Sequence, residues 1–200
     1  MTLILLGMLS LLFSNLSYAE KSNLPQRHAI VLGYHTQIDN KIWQEKRVGF
    51  GVNSLLKQVL FDSTSFTFVD DTLLLNKQPS EQWMLNDTEF KPKALENFAQ
   101  TYQVNDIFWV KILAYKENII TWRLAIFNGR EYEDTLELEV CHYQHKHSIN
   151  CQQGKSSQTR ELTAVLYHPK DDLNFNDSGV GQLTEKAIEQ AVKKFQFYEK

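Results

Sequence analysis

Hydrophobic residues first repeat at helical spacing between residues 52 and 60, and a short strand pattern follows them. The polar run 62–65 ends the periodicity, and residues 66–69 alternate as a strand does. The apolar positions fall at i, i+3, i+4, i+7 and i+8, on one face of a helix: Val52, Leu55, Leu56, Val59 and Leu60. This face has to be buried, so the pattern predicts a helix that packs on a sheet.

Other strand patterns occur on both sides of this segment. A continuous apolar run at 28–34 predicts a buried first strand, and 106–115 is apolar on both faces and predicts a central strand. Alternation over 119–127 predicts the next strand, which a short turn at 114–118 would separate from its predecessor. The segment 161–167 is a further strand candidate.

The pattern at 132–140 predicts the second strand of a hairpin with one wet face. Asn128-Gly129 precedes it and is the pair that best tolerates a tight hairpin turn. Leucine and valine alternate with glutamate along this strand. The inward set is Leu136, Leu138 and Val140, and the outward set is Glu133, Glu137 and Glu139. A polar loop is expected at 143–157.

Two more helices complete the predicted elements. One begins at Pro92, where the missing N–H costs nothing, and the other covers 183–195. Their apolar faces are Ala94, Leu95, Phe98, Ala99 and Tyr102 in the first, and Leu183, Ala187, Ile188, Ala191, Val192 and Phe195 in the second. The order β-α-β-α-β-β-β-β-α predicts an α/β fold: a two-layer sandwich with about three helices on a mixed, mostly antiparallel sheet.

The N-terminal segment predicts export. Residues 2–13 form an uncharged apolar run, and Ser17, Tyr18 and Ala19 follow as a small-x-small cleavage pattern. The run is shorter than the ~20 residues that span a bilayer. We therefore expect a signal peptide at 1–19, and a single periplasmic domain at 20–200 with no membrane span.

The formal charge of −3 excludes two classes of partner at the level of the whole chain. It provides neither the basic footprint of a nucleic-acid-binding protein nor a polybasic patch for an anionic membrane surface. No nucleic-acid partner is expected.

Cys141 and Cys151 are the only cysteines, and an oxidising compartment favours a disulfide between them. Thiolates and imidazoles also suit zinc or copper, so a metal site with His142, His145 and His147 is the alternative, and free thiols are a third possibility. If the bridge forms, the histidines are expected to face solvent. No other cofactor is indicated.

The chain offers no set of residues typical of an enzyme. Gly49-Phe50-Gly51 lacks the third glycine of a dinucleotide site and the lysine of a P-loop, and is interpreted as a turn before the first helix. Common hydrolase motifs are absent from the sequence. The paired acids 70–71 and 171–172 are typical of solvated loop ends.

Two groups of residues are candidates for contact with a partner protein. Trp83, Met84 and Leu85 interrupt a polar segment and have the composition of a binding hot spot. Glu137 and Glu139 lie on the outward face of their strand, where their charge could steer a basic partner.

Four segments in this order resemble the curli assembly and transport component family. These are GFGVNSLLKQVLFDSTSFTFVDD at 49–71, QVNDI at 103–107, WRLAIFNGRE at 122–131 and LTEKAIEQAV at 183–192. Similar domains occur in penicillin-binding-protein activators and in a flagellar ring component. The resemblance implies a protein of envelope assembly, whose partners are other envelope proteins or further copies of itself in a ring. With no enzyme-like residue set, we expect a non-enzymatic role, and association with the outer membrane is one expected location.

The chain departs from the pore-forming members of that family in two expected features. Those members carry a lipidated cysteine, which is missing near Ala19, and two long amphipathic hairpins. The short turn expected at 114–118 would replace the first hairpin, and the polar, cysteine-containing segment 141–158 does not suit the second. A pore is therefore not predicted.

Overall fold

The computed structural model describes residues 27–36, 38–69, 90–144, 148–162, 175–195 and 197. The elements in chain order are β1 (His28–Thr36), α1 (Lys41–Gln44), α2 (Lys46–Ser63), β2 (Thr67–Phe68), α3 (Pro92–Tyr102), β3 (Asp106–Leu124), β4 (Phe127–Gln144), β5 (Ile149–Glu161), a 3-10 turn (Phe175–Asp177) and α4 (Gly179–Val192). The segments 1–19, 83–85 and 145–147, where several expectations fall, lie outside the described residues.

The described strands form one mixed sheet in the order β2-β1-β3-β4-β5. The pairs of β1 with β2 and β3 are parallel, and β3–β4 and β4–β5 are antiparallel. Helices cover the sheet, so the predicted α/β class with a mixed sheet is confirmed.

The helices lie on both faces of the sheet. α2 and α4 pack on one face, where Phe108 and Val110 of β3 meet Leu138 of β4. On the opposite face α3 covers one end, with Leu95 and Ala99 against a cluster that includes Trp109. Among the described residues, the second face is thus covered only in part, and α3 adds a third layer there.

Local sequence patterns predicted the buried faces of α2 and α4 correctly. The predicted apolar face of α2 is buried at all five positions, from Val52 to Leu60, and so is that of α4. Ser178 caps α4 by accepting a hydrogen bond from the N–H of Gly181. The expectation of a turn at Gly49-Phe50-Gly51 is wrong, because these residues lie inside α2, which begins at Lys46.

The expected turns in the hairpin region are wrong in two places. The segment 114–118 continues β3, with a bulge between Ile112 and Ala114, and the chain reverses at Ala125 and Ile126. The expectation that a short turn replaces a long hairpin at this place is therefore wrong. Ala125 takes a positive φ of 51°. A Cβ at Gly129 would lie 2.3 Å from Cζ2 of Trp122, whose indole crosses the opposite strand, so the exposed Trp122 side chain would have to shift to admit one.

The polar loop expected at 143–157 is also wrong. Residues 149–161 form β5, which pairs with β4 from Glu131 to Tyr143. The strand candidate at 161–167 overlaps it only at Glu161, and 163–167 lie outside the described residues. In the part of the chain that the structure describes, none of the helices combines the length and apolarity needed to cross a bilayer.

Gly154→Ala should weaken the contact between α4 and β5. A Cβ at residue 154 would lie 1.8 Å from the backbone oxygen of Ala187, so the helix has to move. We expect the free energy of unfolding to fall by about 2 kcal/mol or more in urea titration, against the usual preference of strands for alanine over glycine. Gly129→Ala is the matched control, because the exposed Trp122 side chain can move aside; equal losses in the two variants would contradict this packing.

Candidate functional site

A buried carboxylate lies at the start of β3. Asp106 has no exposed surface, and Arg27 pairs with it through Nε, 2.8 Å from Oδ2, and through Nη2 to Oδ1. Nε2 of His142 lies 2.6 Å from the same Oδ1. Since a carboxylate paired with arginine can only accept, this imidazole nitrogen must carry the proton that it donates. Asp106 is thus held by two partners inside the fold.

Aromatic rings enclose this cluster. His142 stacks on Phe108 with ring centroids 4.3 Å apart, and the rings of Phe195 and Phe197 make T-shaped contacts with it at centroid distances of 6.0 and 5.9 Å. The guanidinium of Arg27 lies 5.1 Å over the ring of Phe66. The expectation of solvent-facing histidines is therefore wrong for His142, which joins β4 to β3 and to the residues that follow α4.

A second buried carboxylate, Asp134, lies further along β4 on the same face of the sheet. Nε of Arg160 donates to its Oδ2 at 2.7 Å, and Tyr115 donates to its Oδ1 at 2.9 Å. Arg160 also pairs with Glu117 and lies 4.3 Å over the ring of Tyr132. These contacts join the three antiparallel strands.

In both clusters the titratable side chains are already engaged by partners within the fold. Burial, followed by the hydrogen bond to Asp134, raises the pKa of Tyr115 above its ordinary value, so the phenol stays protonated. Burial lowers the pKa of Arg160, but the hydrogen bond and charges of Asp134 and Glu117 outweigh it, and the net shift is upward. An open groove of about 520 Å³ between α2 and β2 and another of about 490 Å³ along β5 are lined without either buried carboxylate. In each cluster the side chains bind one another and link neighbouring strands of the sheet.

The predicted bridge between Cys141 and Cys151 is present and joins directly opposed residues of β4 and β5. Its sulfur atoms lie with a carboxylate oxygen of Glu139 in a group whose ligand atoms are within 4.8 Å of one another. Disulfide sulfur is not a thiolate, so this group lacks the ligands that zinc prefers. Of the candidate metal ligands, His142 is occupied by Asp106, and His145 and His147 lie outside the described residues.

The candidate acidic surface is on the partly covered face of the sheet, as the alternation in β4 predicts. Nζ of Lys155 donates to Glu137 at 2.6 Å and lowers the pKa of that carboxyl, mainly through this hydrogen bond. Gln153 donates to Glu139 at 3.3 Å. β4 is an inner strand, so these acids lie among cross-strand partners and not along an edge. Trp83, Met84 and Leu85 lie outside the described residues.

The most unusual surface is the part of the β3–β4 hairpin from Leu113 to Glu131, called here the hairpin arm. β1 stops pairing with β3 at Ile112, and β5 stops pairing with β4 at Glu131. Six of the nine large hydrophobic residues exposed in the described chain lie on this arm: Leu113, Ile119, Trp122, Leu124, Ile126 and Phe127. The prediction of a separate strand at 119–127 is wrong in its bounds, because 119–124 continue β3, 125 and 126 form the turn and Phe127 begins β4.

Sequence reasoning missed the two buried charge clusters. Asp106 and Asp134 stand in otherwise apolar or alternating strands, and that is the one signal that could have indicated them. Their partners Arg27 and Arg160 are 79 and 26 residues away, so the pairing depends on the tertiary structure.

No family model matches the chain, and no curated protein matches it by sequence. Similar solved structures include a hypothetical protein from Chlamydia trachomatis, 11% identical with a TM-score of 0.46, which covers 84% of this chain and 95% of that one. The lipoprotein GNA1162 from Neisseria meningitidis is 8% identical, with a TM-score of 0.47 and coverage of 85% and 100%. A PelC dodecamer from Paraburkholderia phytofirmans is 9% identical, with a TM-score of 0.38 and coverage of 84% and 85%. These similarities are too distant to indicate a function.

Arg27→Met should destabilise the fold by leaving the Asp106 carboxylate with one partner fewer. Arg27 keeps 27% of its side chain exposed, so we expect a loss of about 2–3 kcal/mol in urea titration, below the range for a fully buried pair. The double variant Arg27→Met/Asp106→Asn should lose less stability than the sum of the losses in the two single variants. Lys155→Met, which removes an exposed ion pair, is the control with little change; additive losses at Arg27 and Asp106 would show that the pair is not coupled.

Reduction of the disulfide should lower stability by about 2–3 kcal/mol, because the bridge limits the unfolded chain. The measurement is urea unfolding with and without a thiol reductant. A Cys141→Ala/Cys151→Ala variant is the control, and its unfolding midpoint should not respond to the reductant. A reductant effect of the same size in both proteins would contradict the assignment.

Proposed function

We propose that this chain is an exported, non-enzymatic protein of the bacterial periplasm that works in envelope assembly by docking to other proteins. The observation that carries the proposal is the hairpin arm. Monomeric soluble proteins rarely leave contiguous large apolar side chains in water, and such surfaces are typical of interaction sites. The whole arm extends past β1, which stops pairing at Ile112, and its outer part also extends past β5, which stops pairing at Glu131, so the arm is accessible to a partner.

The buried polar groups support a non-enzymatic role. Asp106, Asp134 and His142 are each engaged by partners within the fold. An acid–base site needs titratable groups that reach a substrate in a cleft, and these groups are enclosed. The resemblance to the curli assembly and transport component family agrees with an assembly role, with other envelope proteins or further copies of this chain as partners.

The surface proposed for protein contact begins at the base of the arm. Leu113 is 43% exposed there, and the uncovered sheet face beside it includes Glu137 and Glu139. An apolar residue next to a polar surface resembles the core and rim of a protein interface. Trp83, Met84 and Leu85 remain predicted contacts of the same kind.

Photo-crosslinking in intact cells tests this proposal. A crosslinking amino acid replaces Leu113, Glu137 or Glu139 one at a time, and Ser54, exposed on α2 at the opposite face, serves as the control position. We expect a discrete adduct at the first three positions and none at Ser54, with the same partner, or a second copy of the chain, identified by mass spectrometry at each. If all three positions give the Ser54 pattern, the docking role is overturned.

A further inference from the structure

The outermost part of the hairpin arm, residues 119–130, differs from its base in both shape and charge and is called here the tip. Exposure reaches 71% at Leu124, 90% at Ile126 and 65% at Phe127. Within the described chain, only β3 and β4 build this segment, because β5 ends its pairing at Glu131. The tip is therefore a narrow ridge.

Apolar side chains cover one face of this ridge and its end. Trp122 pairs across the strands with Gly129, and Leu124 with Phe127, so Trp122, Leu124 and Phe127 share a face. The Trp122 indole lies across Gly129 on the opposite strand. Ile126 adds an exposed side chain at the turn itself.

The charges of the tip are all positive. Arg123 and Arg130 lie on the face opposite Trp122, and there is no acidic residue between Glu117 and Glu131. The formal charge of −3 for the whole chain hides this segregation. Apolar and aromatic side chains next to arginines are the composition that binds the headgroup region of anionic membranes.

The dimensions of the tip also fit the membrane interface. From the Trp122–Gly129 pair to the turn is about three residues, or roughly 10 Å at ~3.3 Å per residue. This is close to the ~5–10 Å to which interfacial segments are buried. Glu117 and Glu131 flank the tip on its inner side, and their charges oppose deeper entry into the membrane. Tryptophan, here Trp122, is enriched at the membrane–water interface. Arginine side chains can reach the phosphates from such a position.

We propose that the tip of the β3–β4 hairpin inserts into the headgroup layer of an anionic lipid surface. Trp122, Leu124, Ile126 and Phe127 enter the boundary with the acyl chains, while Arg123 and Arg130 pair with lipid phosphates. This contact uses the outer apolar residues of the hairpin arm, and the protein contact is then confined to the base of the arm, at Leu113, Glu137 and Glu139.

Vesicle flotation of the purified protein tests the insertion. We expect binding to vesicles of phosphatidylglycerol and phosphatidylethanolamine, and much weaker binding to phosphatidylcholine alone. Ile126→Ser/Phe127→Ser should lower the partition coefficient about tenfold or more, because two large apolar side chains leave the boundary. Phe61→Ser on α2 changes an equally exposed phenylalanine outside the tip, 66% exposed, and should bind as wild type.

Two further measurements separate the forces. Arg123→Gln/Arg130→Gln should lose most of the preference for anionic vesicles and most of the salt dependence. Lipids brominated near the headgroup should quench tryptophan fluorescence in the wild type and much less in Trp122→Phe. Circular dichroism should show every variant folded, since the changed residues are exposed.

Three outcomes would overturn the proposal. These are no partition into anionic vesicles, equal partition of the Ile126→Ser/Phe127→Ser variant, and a lipid-free dimer in sedimentation that this variant abolishes. The last result would assign the tip to a second copy of the chain. Each outcome leaves the crosslinking at Leu113, Glu137 and Glu139 to be judged separately, so failure of the lipid contact and failure of protein docking are distinguishable.

Discussion

The antiparallel pairing of β3 with β4 is the constraint on which the rest of this structure depends. It continues from Asp106–Gln144 to Leu124–Phe127 and includes one bulge, between Ile112 and Ala114. Because side chains alternate between faces, a slip of one residue would move every core residue to the wrong side. The bulge makes one such shift locally, so that Tyr115 and Glu117 share a face with Asp134.

This pairing places charge and apolar surface in separate parts of the hairpin. Within the sheet, Asp106 and Asp134 are buried and each is held by an arginine from elsewhere in the chain. Where β3 and β4 extend past β1 and β5, they carry apolar side chains that no other described element covers. A buried ion pair is weak evidence for net stability, but it penalises any register that leaves the carboxylate alone. We infer that the clusters specify which strands pair, while the arm is left free to contact other molecules.

The disulfide and glycine contacts reinforce the third antiparallel strand. Cys141 and Cys151 join opposed positions of β4 and β5, and Gly154 lets the backbone of α4 approach β5 closely. β5 is polar along its length, with Gly154 and Ser156 as its buried positions. Such a strand has little hydrophobic pattern of its own, so its place in the sheet depends on these specific contacts. A partner that binds the face with Glu137 and Glu139 would therefore contact a sheet in which β5 has one fixed register against β4.

The sequence by itself determined the elements whose signal is local. The apolar faces of α2 and α4, the buried strand β1 and the inward and outward positions of β4 follow from periods of 3.6 and 2, which depend only on neighbouring residues. Only the tertiary structure decided where the hairpin turns, that residues 149–161 form a strand, and that Arg27 and Arg160 pair with Asp106 and Asp134. Turn position depends on register across strands, and ion pairing joins residues far apart in the chain. Exposure of Leu124, Ile126 and Phe127 had the same origin, because an alternating pattern indicates an apolar face but not whether another element covers it.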